Sequence, residues 1–379
     1  MLEKIYRQRY GKLLLGVCVV LTLIYLGIGW VAQHSWHEQK DYYESEEFLK
    51  DFRNNPDYYI KHYNEENPTY YLSAEEYKNT NLLIYNSSVI SNNRYDVISS
   101  KFNISGSKYT FSLLFLLGFL SFFIDQKTNF NRFLFSLPFN RRTIFQKKII
   151  FLLTPVSLAL TIGILANIFI RYLMIPHEYF QIPVFSLLAS GVSHFIVSMV
   201  IIAFGVLLGV ILGNILWGLI SLGIIFMLMS RFYDFLYNLQ EFLSFLFLGN
   251  GDRLIFSNLW SEWPDGVPVS TGAGIGALVI FLGLILAAQE AFNNISLEND
   301  DDYLTIPTIR KPVFFVLGIS VWFYLVNLNG MLVSLYYKNP SEKRTIVFLF
   351  IYLILCLMIN FVLIYFKVIK NLWHSRGSI

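Results

Sequence analysis

Eight long apolar stretches, separated by polar segments, constrain this chain more than any other feature of its sequence. A helix rises about 1.5 Å per residue, so about 20 apolar residues cross a hydrocarbon core of about 30 Å. Backbone amides in lipid must pair within their own segment, which favours helices. The pattern therefore predicts an all-α membrane protein with eight transmembrane helices, at Leu13–Val31, Tyr109–Ile124, Ile149–Ile170, Val184–Leu208, Ile215–Met229, Val269–Ala288, Val313–Leu335 and Thr345–Phe366.

The composition fits a chain that lies mostly in lipid. Of the 379 residues 55% are hydrophobic and only 15% are charged, whereas a soluble domain carries about 25% charged residues. The net charge of +3 is too small to indicate a nucleic-acid partner. Both cysteines, Cys18 and Cys356, lie in apolar stretches, which indicates small buried residues rather than a disulfide or a reactive thiol.

Lysine and arginine residues in short loops mark the cytoplasmic side of a membrane protein. Fifteen of them lie before the first span or after the second, sixth and eighth spans, against six in the short segments on the other side. The remaining eight lie in residues 32–108, a segment long enough to cross the membrane regardless of its charge. The sequence therefore predicts that both termini face the cytoplasm, with an uncleaved first helix.

Residues 32–108 form a polar insert between the first two spans, and we expect it to be extracytoplasmic. Tyrosine and asparagine are abundant in it, and Glu44–Arg53 and Ala74–Lys78 have the pattern of short helices. The insert either contacts a ligand or gates an exit, or it is a structural cap over the helix ends. The second interpretation is favoured, because tyrosines suit any half-hydrated packing surface.

A second external feature is expected at 230–267. Apolar residues recur there at helical spacing from Phe235 to Leu246, and Trp260 and Trp263 follow. An amphipathic helix in the membrane interface, with aromatic residues at headgroup depth, explains this pattern. A re-entrant hairpin packed within the protein explains it as well.

The predicted spans contain very few ionisable residues. His194 is the one ionisable residue near the middle of a span, and it stands in a row of polar residues four apart, with Ser186, Ser190 and Ser198. His194, Ser190 and Ser198 are candidates for a substrate path. Interhelical hydrogen bonding by a neutral histidine is the favoured interpretation, because a single histidine without a carboxylate is a poor proton relay.

Catalytic signatures are missing from the sequence. It has no G-x-x-x-x-G-K-[ST] phosphate loop, no H-E-x-x-H, no G-x-S-x-G and no Cys/His cluster with metal-ligand spacing. Asp300–Asp302 is interpreted as a solvated acidic run. The chain is therefore expected to be no enzyme by itself and to bind no metal or cofactor of its own.

The loop 125–148 is basic and unusually apolar for a connector. Its first half predicts a short amphipathic helix that ends at Pro138. Asn140 is suited to cap the next helix, which we expect to begin near Arg141 and to continue into the third span. A helix of this kind either offers a face to a cytoplasmic partner or is an ordinary interfacial helix. The residues whose spacing predicts the short amphipathic helix before Pro138 are Phe130, Phe133, Leu134 and Leu137.

Ser136-Leu137-Pro138, followed by Arg141, Ile144 and Lys147, resembles the S-L-P-x-x-R-x-x-[IL]-x-x-K segment of type 2 ABC exporter permeases. In that family the segment joins the second and third spans and forms or adjoins the coupling helix that docks on the ATPase subunit. Leu2–Lys12 resembles the family's interfacial connecting helix, and the resemblance covers about residues 1–292. The additional two spans are similar to those of a Gram-positive, Ytr-type subgroup with eight spans.

The resemblance implies a multi-pass permease subunit of the cell membrane that works with cytoplasmic ATPase subunits and a second, identical or related, permease subunit. ATP and Mg would bind to the ATPase, and a hydrophobic or amphipathic substrate would move outward. The implied division of the chain is an amino-terminal segment with the first span at 1–31, the insert at 32–108, a permease core at 109–292 and a final part with the last two spans at 293–379. The implied ATPase-docking residues are Phe133, Leu137, Pro138, Phe139, Arg141 and Arg142.

Two other functions remain open from the sequence. The chain is alternatively a membrane sensor or resistance component that binds a peptide or lipid through residues 32–108, or a secondary carrier. A secondary carrier is disfavoured, because the spans lack the carboxylates that usually form an ion or proton pathway.

Overall fold

The computed structural model describes residues 1–61, 70–71, 73–84, 107–180, 184–214, 271–295, 303–311 and 350–362, and isolated positions among 218–223, 313–322, 347 and 364–365. These residues are mostly helical. Five helices are long and apolar enough to cross a membrane, and a shorter apolar helix covers Phe350–Val362. The prediction of a helical, multi-pass membrane protein is confirmed at this level.

Several predicted features lie wholly or largely outside the described residues. They are the fifth and seventh spans, the segment 230–267 with its two tryptophans, residues 85–106 of the insert, and the acidic run Asp300–Asp302.

The helices are α1 Leu2–Glu44, α2 Glu46–Asn54, α3 Ala74–Leu82, α4 Ser107–Lys127, α5 Phe130–Ser136, α6 Arg141–Met174, α7 Val184–Ile211 and α8 Thr271–Asn293. Single 3-10 turns cover Pro56–Tyr59, His177–Tyr179 and Pro307–Ile309. The strands β1 Ile60–Lys61 and β2 Tyr70–Tyr71 pair antiparallel, with Ile60 opposite Tyr71. This two-residue ladder is a small departure from the all-α prediction.

The chain forms two compact units. The first contains α1 to α3, the part of α6 from Ile149 onward and the part of α7 up to Met199. The second contains α4 from Phe111, α5, the beginning of α6 up to Lys148, the rest of α7, and α8 from Ala277.

Helix α1 is much longer than the first predicted span. Its 43 residues extend about 64 Å, roughly twice the thickness of a hydrocarbon core. The sequence from Leu2 to Glu44 contains no proline, so nothing interrupts its hydrogen-bond ladder. The basic segment Leu2–Lys12 and the start of the insert therefore belong to one continuous helix with the span Leu13–Val31.

Ser45 ends α1 and begins α2. Its hydroxyl donates to the carbonyl of Tyr42 at 2.7 Å and accepts from the backbone N–H of Phe48 at 3.2 Å. One side chain thus caps the end of one helix and the beginning of the next. The predicted helix Glu44–Arg53 is confirmed as α2, and Ala74–Lys78 is confirmed within α3.

The described part of the insert packs around aromatic rings. Phe48, fully buried, lies 5.1 Å from Tyr43, 5.8 Å from Tyr59 and 6.0 Å from Tyr77 between ring centroids. Trp36 of α1 donates from Nε1 to the carbonyl of Leu82 at 2.9 Å. These contacts agree with the interpretation of the insert as a packed cap, while ligand binding by the insert stays a prediction.

Asp51 and Tyr59 give this cluster a pH dependence. Hydrogen bonds from the Tyr59 hydroxyl, and secondarily from Asn55, hold the pKa of the Asp51 carboxyl below its usual range. The hydrogen bond to Asp51 also raises the pKa of Tyr59. The contact therefore stabilises the fold at pH values between the ordinary pKa of aspartate and that of tyrosine. Its contribution is lost as the pH falls through the lowered pKa of Asp51, and it is also lost as the pH rises above the range in which tyrosine ionises.

We expect protection of α2 amides from hydrogen exchange to decrease from about pH 5 to about pH 2 in the wild type and to change less in Tyr59→Phe, which lacks the donor hydroxyl. Protection factors measured by mass spectrometry, corrected for intrinsic exchange, test this expectation. Tyr58→Phe, which changes the neighbouring exposed tyrosine, is the matched control. Identical pH profiles for the wild type and Tyr59→Phe would contradict it.

In the second unit, α4 and α7 approach each other at the level of their backbones. A Cβ atom at Gly205 would stand against the carbonyl oxygen of Phe115, and one at Gly209 against that of Phe119. On α4, a Cβ at Gly118 would be 3.1 Å from the backbone nitrogen of Val206. Gly205 and Gly209 stand four residues apart on one face of α7, a spacing of small residues that is typical of close helix contacts.

The residues after α7 pair with the segment that follows α8. Leu212 forms an antiparallel bridge with Leu304, and the N–H of Thr305 donates to the carbonyl of Ile211 at 2.9 Å. The Thr305 hydroxyl lies 3.2 Å from the carbonyl of Val210. Carbonyls that the last turn of α7 leaves without helical donors are satisfied in this way.

Candidate functional site

The segment between α4 and α6 makes a sharp turn into the short helix α5. Asn129 adopts a positive φ of 56°, a conformation that asparagine tolerates better than most residues. The hydroxyl of Thr128 donates back to the carbonyl of Ile124 at 2.9 Å, which closes the last turn of α4. The turn places α5 directly after the end of a membrane-length helix.

The predicted helix boundaries in this segment are confirmed. α5 ends at Ser136, and Leu137 is extended, as a residue before proline is expected to be. The side chain of Asn140 accepts from the backbone N–H of Arg142 at 3.2 Å, and α6 begins at Arg141 and runs without interruption to Met174. Asn140 is therefore the cap that the sequence predicts.

The apolar stripe of the sequence is divided between two faces of α5. Leu134 is fully buried, whereas Phe133 is 47% exposed. Leu137 and Phe139 are half-buried, and Pro138 and Arg142 are exposed. The turn thus presents Phe133, Pro138 and Arg142 to its surroundings, with Leu137 and Phe139 partly accessible beside them.

Arg141 is placed differently from these five residues. Its Nη1 atom donates to the backbone carbonyls of Asn293 at 2.9 Å and Ile295 at 3.0 Å. The carbon of the guanidinium lies 4.3 Å from the ring centroid of Phe135. The side chain is therefore engaged with the end of α8 and with α5, inside the second unit.

A buried ion pair joins the two ends of the segment. Nζ of Lys148 lies 2.5 Å from the carboxylate of Asp125 and 2.6 Å from the carbonyl of Ser121. It also stands 3.9 Å from the ring centroid of Phe122. Asp125 is completely buried and Lys148 is 2% exposed.

The sequence did not predict this pair, because Asp125 and Lys148 both fall at the ends of the connector 125–148 and are 23 residues apart. Opposite charges that directly flank two successive predicted spans, Asp125 after Ile124 and Lys148 before Ile149, were the available signal.

Ser190, His194 and Ser198 on α7 are buried in the first unit. Nε2 of His194 lies 2.6 Å from the hydroxyl of Tyr25 on α1, and the hydroxyl of Ser198 donates to the carbonyl of His194 at 2.8 Å. Ser190 is 4% exposed. Asn167 of α6 donates to the carbonyl of Tyr25 at 2.8 Å. The interhelical hydrogen bond expected of His194 is present, and its partner Tyr25 was not foreseen.

A groove of about 580 Å³ runs between the first part of α1 and α6 in the same unit. Its lining is apolar except for Arg7 and Thr22, and it includes Leu14, Leu158 and Pro155. His194, Ser190 and Ser198 do not line this groove. The polar track proposed for these three residues therefore does not open into this groove.

Contacts within each unit join segments that the basic-residue count assigns to the same side. In the first unit Trp36 donates to the carbonyl of Leu82, and the backbone N–H of Ile84 donates to the carbonyl of Tyr179 at 2.7 Å, all on the predicted outer side. In the second unit Arg141 contacts the end of α8, on the predicted cytoplasmic side. Gln126 donates to the carbonyl of Val210 at 2.7 Å, also on that side.

Residues 84–251 match the family model described as ABC-2 family transporter protein. The match covers less than half of the 379-residue chain. Neither the comparison with curated proteins nor that with solved structures gives a match.

The ABC-2 match contains α4 to α7, and with them the whole segment 125–148 and the buried pair of Asp125 and Lys148. The ABC-2 family is one of membrane permeases of ABC transporters, which work with ATPase subunits and are generally not catalytic themselves. The resemblance stated from the S-L-P segment is therefore confirmed at the level of the ABC-2 permease family.

Proposed function

We propose that this chain is the permease subunit of an ATP-driven exporter in the cell membrane, and that residues 125–148 dock on its ATPase. The observation that carries the proposal is the exposed turn formed by Phe133, Pro138 and Arg142 inside the ABC-2 region. An exposed aromatic residue next to a cation is typical of the contacts that dominate protein interfaces.

The proposed topology has eight spans, cytoplasmic termini and an external insert at 32–108. It is supported by the basic-residue count and by the contacts within each unit, which connect segments of the same predicted side. The segment 125–148 then faces the cytoplasm, where an ATPase subunit is available. The assignment to a Ytr-type subgroup is part of this proposal.

In the proposed mechanism ATP and Mg bind only to the ATPase subunits. Their closure moves the docking turn, and the permease responds by a shift between two arrangements of its helices. Substrate moves outward between two permease subunits, identical or related. The few charges in the spans favour a lipid, a hydrophobic peptide or another apolar compound. His194, Ser190 and Ser198, which are buried in one unit, serve helix packing in this proposal.

The docking turn is tested by Phe133→Asp combined with Arg142→Glu. Both side chains are exposed, so the fold is expected to survive, whereas an interface that buries them should lose affinity by about tenfold or more. The permease is purified from its host, ABC ATPase subunits are identified by mass spectrometry, and their amount and ATP hydrolysis are measured. We expect both to fall at least about tenfold.

Tyr58→Asp is the matched control, because Tyr58 is 81% exposed and lies in the insert. It should leave the bound ATPase unchanged. Undiminished ATPase in the double variant would exclude docking at this turn. Wild-type permease that transports with an ion gradient, and without any ABC ATPase, would instead support the secondary-carrier alternative.

A further inference from the structure

The last turn of α8 contacts α4, α5 and α6, the three helices that residues 125–148 connect. Residues 125–148 are called the docking segment below. Phe292 is fully buried, and its ring centroid lies 5.4 Å from Phe135 on α5 and 5.5 Å from Phe145 on α6. On the α4 side it lies 6.1 Å from Phe122. These edge-to-face and tilted ring contacts fix the position of the helix end, since aromatic pairs prefer such geometries.

Arg141 adds a polar tie to this aromatic contact. A helix leaves its final carbonyls without internal donors, and a cation near them is favourable. Nη1 of Arg141 donates to the carbonyl of the last helical residue, Asn293, and to that of Ile295. One turn earlier, Nε2 of Gln146 lies 3.1 Å from Oε1 of Gln289. Both donors belong to the first two turns of α6, immediately after the docking turn.

Away from this end, α8 exposes large apolar side chains. Val279 is 63% exposed, Leu282 57% and Leu286 60%. In the apolar, membrane-length part of α8 only 17% of the residues are buried, whereas 50% are buried in the corresponding part of α7. A helix with little buried surface along its length and a fixed end has a low cost of moving with that end.

We propose that α8 receives the movement of the docking segment, and that Arg141 is the positioning residue that transmits it. This inference rests on the proposed function, since it assumes that an ATPase moves the turn. It assigns Arg141 to the interior link with α8 rather than to the ATPase contact. When the turn shifts, the guanidinium carries the α8 carbonyls with it, and Phe292 prevents the helix end from slipping.

The link is tested in the purified permease–ATPase complex in lipid nanodiscs. Cys18 and Cys356 are replaced by alanine, and a polarity-sensitive fluorophore is attached at Glu290→Cys, an exposed position in the last turn of α8. Emission is compared without nucleotide and with ATP, Mg and vanadate. We expect a nucleotide-dependent shift with Arg141 and loss of that shift in Arg141→Gln, with the amount of bound ATPase unchanged.

Two further variants separate a transmitting role from a merely structural one. Arg141→Lys keeps a positively charged donor group but not the planar guanidinium, and it should restore part of the shift. Lys50→Gln removes the same charge from an exposed position of α2, outside residues 125–148, and should retain the full shift. If Arg141→Gln does not fold, Phe292→Leu is expected to reduce the shift through the other half of the link.

Each result decides a different claim. A full shift in Arg141→Gln or in Phe292→Leu would show that α8 is not driven through this link. Loss of the ATPase from Arg141→Gln would make Arg141 a docking residue and would also overturn the inference. Wild-type permease that binds no ABC ATPase would overturn the proposed function itself, and this inference would fall with it.

Discussion

Gly205→Leu is expected to abolish folding of the second unit. At this position even a Cβ atom would stand against the Phe115 carbonyl oxygen and 3.0 Å from the Phe119 backbone nitrogen. These are backbone atoms of α4, which cannot move aside without separating two helices. Overpacking by small groups costs about 1–3 kcal/mol, and a leucine adds three further carbon atoms. We expect no monodisperse peak in size-exclusion chromatography, and a lowered but measurable thermal midpoint for Gly205→Ala.

Gly283→Ala is the matched control. Its Cβ would meet nothing within 4 Å among the described residues. Alanine in a helix interior is more favourable than glycine by about 0.5–1 kcal/mol, so this variant should keep or slightly raise the thermal midpoint. A Gly205→Leu protein that elutes and melts like the wild type would show that α4 and α7 do not touch at this level.

Lys148→Met is expected to destabilise the protein strongly, by about 3–5 kcal/mol. The change removes the cation 2.5 Å from Asp125, which has no exposure to solvent. An unneutralised carboxylate in such surroundings is costly, because water cannot replace the lost partner. A lower thermal midpoint and a smaller folded yield in detergent are the observable results.

The double variant Asp125→Leu with Lys148→Met should recover most of the lost stability. Replacing both members of a buried pair by apolar groups of similar volume is often neutral or stabilising. The pair of Lys78 and Glu44, 3.5 Å apart and partly exposed, provides the control, since Lys78→Met should cost no more than about 1 kcal/mol. Equal effects of Lys148→Met and Lys78→Met would contradict a buried pair.

If the double variant folds but no longer couples ATP hydrolysis to nucleotide-dependent movement of α8, the ion pair also holds the ends of the docking segment in register. This outcome would add a mechanical role to the structural one, because Asp125 lies in the last turn of α4 and Lys148 lies in the third turn of α6.

The local sequence pattern was sufficient to predict the helix boundaries in the docking segment. A proline after an apolar stripe ended α5 at Ser136, and a side-chain cap at Asn140 began α6 at Arg141. Such boundaries depend on backbone groups only a few residues apart, so spacing alone predicts them. The four-residue spacing of Gly205 and Gly209 is a local pattern of the same kind, because it places both glycines on one face of α7.

The ends of the long helices were less predictable. Hydropathy located the first span at Leu13–Val31, but α1 continues to Glu44. Hydropathy reports which residues tolerate lipid, whereas a helix continues in water as long as its backbone ladder is uninterrupted and its side chains find packing partners. Trp36 and Phe48 supply that packing beyond the span.

Apolar periodicity and charge counts by themselves determined that the chain is a helical, multi-pass membrane protein with a basic, proline-ended connector, because these properties follow from the solvent that each segment tolerates. Only the tertiary structure decided which polar residues meet. Asp125 finds Lys148, Tyr25 finds His194, and Arg141 turns inward to the end of α8. These partners are 23 to 169 residues apart in the chain, and no local rule relates residues brought together only by helix packing.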